Sequence, residues 1–180
     1  MFFIVSAYAP QCGRNEEVKE EFRENLLELT ARATPDELLI MLGDFNSHLG
    51  VHRIGFEECT GKFGYGLQNK EGKDLLEVCA GAGWKIVNTW FDKRESHRVT
   101  YKSGGRFSQI DLIIIKGCDW KFVKDCKVIP SETVATQHKP VVAQIEVQKF
   151  EKKIVKIHLN RDDYLSEVMN NTGLQINIFS

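Results

Sequence analysis

The sequence predicts a mixed α+β fold, and three observations support this class. Of the 180 residues, 42% are hydrophobic, and the formal net charge is −1. Apolar residues recur at helical spacing in two early segments and in short or alternating runs elsewhere, which is typical of strands. Strands alternate with helices early in the chain and follow one another later, as in α+β proteins. This length and composition fit one globular domain and exclude disordered, collagen-like and strongly basic proteins.

The first elements follow from the spacing of apolar residues and from the residues that interrupt it. A buried strand is predicted over Phe2–Tyr8, because this short apolar run ends at Pro10. Asn15 is a suitable N-cap for a helix that runs to about residue 33. The uninterrupted apolar run over residues 38–42 is typical of a strand buried on both faces. A long polar and Gly-rich loop then extends over residues 44–68.

The remaining elements are a second helix and a series of strands. The helix is predicted over residues 69–80, because its apolar stripe ends at glycines. Strands are predicted over residues 84–88, from 99 to 101, and over 109–116, 120–129 and 141–147. We assign residues 1–148 to one domain. Residues 149–180 are basic at first and then polar without a pattern, so we assign them to an appended tail with a partial helix near 162–169.

The cysteines and the hydropathy indicate the compartment. The five cysteines are odd in number, and no two have CxxC spacing. A disulfide framework or a zinc knuckle is therefore not expected, and free thiols in a reducing, intracellular compartment are. No apolar run approaches the roughly 18 residues of a membrane span, so we expect no membrane partner.

Asp44 and Asn46 carry the strongest local signal for chemistry. They follow the buried strand over residues 38–42 and lie two positions apart. In an extended chain such residues point the same way, so both side chains would converge at the rim of a sheet. A carboxylate beside an amide suits a water nucleophile or a hard cation such as Mg²⁺. The alternative is an Asx turn that only terminates the strand.

Asp111, His138 and Tyr8 are the other candidates. Asp111 lies inside an apolar strand, where a carboxylate is costly unless it is paired, and a histidine such as His138 is a natural partner. The alternatives are that strand alternation turns Asp111 to solvent and that His138 is an ordinary surface residue. Tyr8 ends the first strand, where its hydroxyl could reach a phosphate oxygen or its ring could simply cover the core edge.

The segments around Tyr8, Asp44, Asp111 and His138, in this order, resemble the endonuclease/exonuclease/phosphatase (DNase I-like) superfamily. Within it, residues 128–139 resemble the RTE/BovB endonucleases of LINE retrotransposons. The resemblance covers about residues 3–147. It implies a four-layer αββα sandwich with mixed and antiparallel sheets. It also implies Mg²⁺-dependent hydrolysis of DNA phosphodiesters, as in apurinic and LINE-type endonucleases, and a nuclear location.

The resemblance further implies a catalytic set and a substrate-binding pair. Asp44 and Asn46 look like the pair that positions the attacking water, and Asp111 looks like the partner that orients His138. Tyr8 completes the catalytic set as the residue that contacts the phosphate. The substrate-binding pair is Arg106 and Ser108.

The sequence departs from the family in two ways. Gln137 stands where the family usually has an aspartate before the histidine, which removes one negative charge. No glutamate precedes Tyr8 to match the family's principal metal ligand, so the metal ligands remain unassigned. We therefore expect the first part of the fold to be missing and the activity to be impaired. We also expect a second copy, or a missing N-terminal segment, to cover the apolar faces of residues 38–42 and 110–115.

Two other functions remain open from the sequence. One is a catalytically inactive nucleic-acid or protein binding module derived from a retrotransposon endonuclease, which the missing glutamate and Gln137 favour. The other is a phosphatase of the same superfamily. It ranks last because no dense Lys/Arg cluster lies beside His138.

Overall fold

A computed structural model gives the architecture for residues 1–132, 137–147 and 174–177. It contains two α-helices, α1 (Glu16–Ala31) and α2 (Lys70–Gly81). Short 3₁₀ helices lie at Val87–Thr89, Glu95–His97 and Gly117–Phe122. The strands are β1 (Phe2–Tyr8), β2 (Leu38–Asp44), β3 (Trp84–Ile86), β4 (Tyr101–Ser103), β5 (Arg106–Ser108), β6 (Asp111–Lys116), β7 (Val123–Val128), β8 (Val141–Ile145) and β9 (Leu174–Asn177).

The strands form two main sheets and a hairpin. The first sheet has the order β1-β2-β6-β3, in which β1 and β2 are parallel and the other pairs are antiparallel. The second sheet has the order β7-β8-β9 and is antiparallel. The hairpin consists of β4 and β5. This arrangement confirms the predicted α+β class with mixed and antiparallel sheets.

Alternation along the central strands creates two cores, one on each face of the first sheet. Leu39 and Met41 of β2 contact the core that includes both helices, whereas Ile40 of the same strand contacts the core shared with the second sheet. The same division holds in β6, because successive side chains point to opposite faces of a sheet. The helices and the second sheet therefore lie on opposite faces of the first sheet, which is the layering of a sandwich.

The structure corrects the prediction that residues 38–42 and 110–115 need cover from another chain or segment. Ile40 and Ile113 are fully buried, and Ile115 is 1% exposed. The second sheet packs on this face through β7 and β8 and supplies the cover. The prediction was wrong because the late strands were not recognised as the opposing sheet.

Local differences from the predicted elements have physical reasons. The strand predicted over 84–88 ends at Ile86, because a 3₁₀ helix begins at Val87. The strand predicted from residue 120 begins at Val123, because Trp120 lies in a 3₁₀ helix and packs on Trp90 at 5.0 Å between ring centroids.

The tail contains one described element. Strand β9 lies within residues 149–180 and pairs with β8, although the sequence pattern did not predict it. The partial helix predicted near residues 162–169 lies outside the described residues. Within the described part of the chain, no helix is long and apolar enough to cross a membrane.

Candidate active site

Three predicted site residues form a row across neighbouring strands of the first sheet. Tyr8 of β1 is in register with Asp44 of β2, and Asp44 is in register with Asp111 of β6. The row lies at one end of the sheet, because β1 and β2 end there and the antiparallel β6 begins there. Asp44 and Asp111 continue the alternation of Ile40 and Ile113, so both carboxylates point to the side of the second sheet.

His138 reaches this row from the other sheet, since it lies three residues before β8. Its Nδ1 lies 3.1 Å from Oδ1 and 3.2 Å from Oδ2 of Asp111. Asp111 is 2% exposed, so it did not turn to solvent, and its carboxylate has the partner that burial demands. With Nδ1–H donated to Asp111, Nε2 of the neutral imidazole is left as the acceptor.

Two hydrogen bonds hold Asp44 and Asn46 in place. One closes a turn between these two residues, and the other joins Asn46 to the residue that follows β1. The backbone N–H of Asn46 donates to Oδ1 of Asp44 at 2.8 Å, which is the Asx-type contact that the sequence left open. Asn46 has a φ of +47°, which is a left-handed conformation. The chain is therefore not extended here, although the predicted convergence of Asp44 and Asn46 required an extended chain. Nδ2 of Asn46 instead donates to the carbonyl of Ala9 at 2.8 Å. Neither hydrogen bond uses the amide oxygen of Asn46, so this oxygen is available as a ligand.

Thr100 supports the start of β6, where Asp111 lies. Its hydroxyl oxygen accepts hydrogen bonds from the backbone N–H groups of Ile110 and Asp111, both at 3.0 Å. Thr100 is fully buried, so no water replaces these bonds. This contact sets the point at which the Asp111 carboxylate leaves the strand.

We expect Thr100→Val to destabilise the chain by roughly 2–4 kcal/mol. Valine has nearly the same shape but leaves two buried N–H groups unpaired, and each such group costs about 1–3 kcal/mol. Urea unfolding followed by circular dichroism measures the effect, and Thr100→Ser, which keeps the hydroxyl, is the control. Equal unfolding midpoints for the valine and serine variants would show that these hydrogen bonds contribute nothing.

The two carboxyl groups of the row are both buried, which affects their protonation. Burial raises the pKa of Asp44, while the N–H of Asn46 and the charge of His138 oppose this. Burial also raises the pKa of Asp111, against a hydrogen bond with Thr100 and the attraction of His138, and the neighbouring Asp44 raises it further. Two adjacent buried carboxylates therefore favour a cation between or beside them.

We expect Asp44→Asn to stabilise the chain at neutral pH, because the amide removes a buried charge and can still accept the N–H of Asn46. The folded chain binds the Asp44 proton more tightly than the unfolded chain, since the folded pKa lies above the ordinary value of 3.8. That stabilising contribution is complete below the ordinary pKa and is lost as the pH rises through the folded pKa. The advantage of the variant should therefore grow with pH and reach about 0.5–2 kcal/mol at neutral pH.

Urea unfolding between about pH 4 and pH 7 measures this difference, on either side of the expected titration. Asp36→Asn, in the exposed turn before β2, is the matched control. A stability difference between wild type and Asp44→Asn that does not change with pH would contradict the prediction.

An open cleft of about 1150 Å³ lies over the row. Asp111 lies beneath the cleft and does not line it, whereas its hydrogen-bond partner His138 does. The predicted substrate-binding residues Arg106 and Ser108 both line it, and Ser108 is buried whereas Arg106 is exposed. Tyr8 is 69% exposed on the cleft wall, so it is not a core-edge aromatic. The other predicted residues that line the cleft are Asp44, Asn46 and His138.

Several residues of the cleft wall were not among the predicted site residues. Tyr101 and Ser103 of β4 line the cleft, and only Tyr101 lay within the strand predicted from 99 to 101. Cys12 and His48 also line it, but they lie in loops, where spacing carries no information about direction. The tertiary structure alone brings these loops to the site.

Asp44, Asp111 and His138 form a cluster that could hold a metal ion. One ligand atom from each lies within 4.8 Å of the others. Both oxygens of Asp111 face His138 Nδ1, which leaves the Asp44 carboxylate and the amide oxygen of Asn46 as the available oxygen donors. Mg²⁺ uses one or two carboxylates and completes its shell with water and phosphate oxygens, so this donor set fits Mg²⁺.

The layered sheets are those of a DNase I-like fold. The structure is similar to the "endonuclease domain of TRAS1, a telomere-specific non-LTR retrotransposon", with a TM-score of 0.50 and 17% identity over 72% of this chain and 52% of that chain. The predicted resemblance to DNase I-like proteins and the predicted fold are thereby confirmed.

The sequence is similar to craniofacial development protein 2. The identity is 30% to the protein of Bos taurus and 29% to that of Tragulus javanicus, each over 147 residues and 81% of this chain. The aligned region is 24% and 25% of those proteins, so the chain spans about a quarter of the curated relatives that it matches. No protein-family model matches the chain.

Proposed function

We propose that this chain forms part of a Mg²⁺-dependent endonuclease site that hydrolyses phosphodiester bonds in DNA. The observation that carries the proposal is the convergence of Tyr8, Asp44, Asp111 and His138, from three strands and a loop, at one open cleft. The likeness to a retrotransposon endonuclease domain supports a nucleic-acid substrate, and a LINE-type element of the RTE class is the origin that we favour. Such an origin implies that the substrate is DNA in the nucleus.

The Asp111–His138 pair acts at the scissile phosphate. The Asp111 carboxylate accepts Nδ1–H and stabilises the positive form of the ring. Nε2 can then take a proton from water or donate a hydrogen bond to the phosphate oxygen that gains charge in the transition state. Because Asp111 is buried beneath the cleft, it acts only through His138.

The other side chains position the water and the substrate. Asp44 and the amide oxygen of Asn46 accept hydrogen bonds from a water molecule and direct it toward phosphorus. The hydroxyl of Tyr8 and the guanidinium of Arg106, which both line the cleft, bind non-bridging phosphate oxygens. A bound Mg²⁺ would supply Lewis-acid polarisation of the phosphate, and Asp44 and Asn46 would hold it.

We propose that the chain by itself is a weak enzyme. Among the described residues, the cluster contains no glutamate, and Asp111 is engaged by His138. Asp44 is therefore the single free carboxylate of the cluster, and the neutral Gln137 adds no charge. Affinity for a hard dication rises with the number of charged ligands, so weak Mg²⁺ binding is expected.

Nicking of supercoiled plasmid with the chain in excess tests the proposal. We expect slow conversion to open circles that requires Mg²⁺, stops with a chelator, and is lost in Asp44→Ala but kept in the exposed control Asp36→Ala. Nicking that Asp44→Ala and His138→Ala leave untouched would refute the site. Fast nicking that these variants abolish would refute the proposal that the chain is a weak enzyme, but it would support the assignment of Asp44 and His138 to the site.

The alternative is a binding module that retains the fold without catalysis, and the single free carboxylate favours it. Calorimetry separates the two functions. A binding module would bind duplex DNA or a protein without Mg²⁺ uptake and without nicking. Mg²⁺ binding that disappears in Asp44→Asn would favour the enzyme.

A further inference from the structure

The segment that carries His138 is attached to strand β4 of the hairpin. The N–H of Lys102 donates to the carbonyl of Gln137, and the N–H of Lys139 donates to the carbonyl of Thr100, both at 2.8 Å. Tyr101 and His138 face each other as an antiparallel bridge. The imidazole is therefore carried by the edge of the β4-β5 hairpin as much as by the chain that enters β8.

The imidazole contacts two groups, and they restrict it in different ways. The hydrogen bond to Asp111 fixes the Nδ1 side of the ring but permits rotation about that contact. The ring of Tyr101 lies 4.7 Å from the imidazole between centroids, with 62° between the planes, which is a favoured edge-to-face arrangement. This second contact restricts that rotation, so the direction of Nε2 depends in part on the position of Tyr101.

Gln137 holds Tyr101 in turn. The Tyr101 hydroxyl donates to Oε1 of Gln137 at 3.2 Å, and Nε2 of Gln137 donates to the hydroxyl oxygen of Ser103 at 2.8 Å. One primary amide thus uses its acceptor and its donor on two residues of β4. A carboxylate at this position would lack the donor and would add a negative charge to a cleft that already contains Asp44 and Asp111.

We propose that Tyr101 and Gln137 are a positioning pair that sets the plane of the His138 imidazole over the cleft, with Gln137 acting through the Tyr101 hydroxyl. The neutral amide is part of this role, because it links the Tyr101 hydroxyl to the Ser103 hydroxyl without repelling an anionic substrate. The catalytic consequence rests on the proposed function, whereas the positioning of the ring does not.

The direct test is nuclear magnetic resonance of the His138 ring protons in the full chain. His138→Gln identifies these resonances among those of the five histidines. Tyr101→Phe and Gln137→Ala each remove the hydroxyl–amide bond, and we expect both to move the His138 resonances in the same direction. Tyr65→Phe, whose hydroxyl bonds Glu95 at 3.2 Å, is the matched control and should leave them in place. Unchanged His138 resonances in both cleft variants would overturn the proposal.

The kinetic test uses single-turnover nicking. Tyr101→Phe and Gln137→Ala should each lower the maximal rate about 3–10-fold, which corresponds to one exposed hydrogen bond. The double variant should be no slower than either single variant, because both remove the same contact. If the two factors of rate loss multiply in the double variant, Gln137 does not act through Tyr101.

Gln137→Glu separates charge from hydrogen bonding. The carboxylate can still accept from Tyr101, and the Ser103 hydroxyl can rotate to donate. We expect His138 resonances near those of wild type, with a higher half-saturating DNA concentration and a similar maximal rate. A lower maximal rate with unchanged DNA affinity would contradict the proposal that the uncharged amide of Gln137 avoids repelling the anionic substrate. If wild type does not nick at all, the proposed function fails, while the resonance test still decides the positioning role.

Discussion

We expect Gly43→Ala to cost at least about 3 kcal/mol of unfolding free energy, which is a large part of the usual total. Gly43 has a φ of +148°, a conformation that residues with a β-carbon rarely adopt. An added Cβ would lie 1.8 Å from the carbonyl oxygen of Ala7, the residue paired with Gly43 in the parallel ladder. The strands would have to separate where Tyr8 and Asp44 lie side by side.

Thermal and urea unfolding followed by circular dichroism measures this effect. Gly81→Ala, at the end of α2 with open space around its Cα, is the matched control, and a small gain of up to about 1 kcal/mol is expected there. A Gly43→Ala variant with the unfolding midpoint of wild type would refute the register of β1 on β2, and with it the row of site residues.

The second large effect concerns the Asp111–His138 pair. We expect His138→Ala to lower the single-turnover rate of plasmid nicking by about 10²–10⁴-fold, the usual contribution of a general acid or base. Asp111→Asn should lower the rate by a comparable factor, because the amide no longer stabilises the charged imidazole. The double variant should be no slower than the slower single variant, since residues that act as a unit do not contribute separately.

The control for this measurement is His52→Ala, in the exposed part of the loop between β2 and α2. It should nick at the rate of wild type. A His138→Ala rate equal to that of His52→Ala would exclude His138 from the chemistry. Factors that multiply in the double variant would show that Asp111 and His138 act independently.

Sequence patterns predicted most of the local structure because local signals determine it. The N-cap Asn15 accepts the N–H of Val18, as its residue type indicated. Strand β1 has the predicted bounds, and the two helices end within two residues of their predicted ends. The burial of Asp111 beside a histidine also followed from the cost of a buried charge.

Other features had no local signal. The hydrogen bond from the Asn46 side chain to the carbonyl of Ala9 joins residues that lie 37 positions apart. The contact of Tyr101 with His138 joins a hairpin to a loop across a gap in sequence that no periodicity spans. The cover of Ile113 by the second sheet likewise depends on which strands pair, and similar alternating patterns permit several pairings.

The residues alone determined which segments become helices and strands, and which polar groups need a partner once buried. Only the assembled sheets decided that Tyr8, Asp44 and Asp111 share one row and that His138 meets them from the opposite layer. The physical reason is that strand register and sheet packing are set by contacts between distant segments. Those contacts bring distant side chains together, but they produce no periodic pattern in the sequence from which they could be predicted.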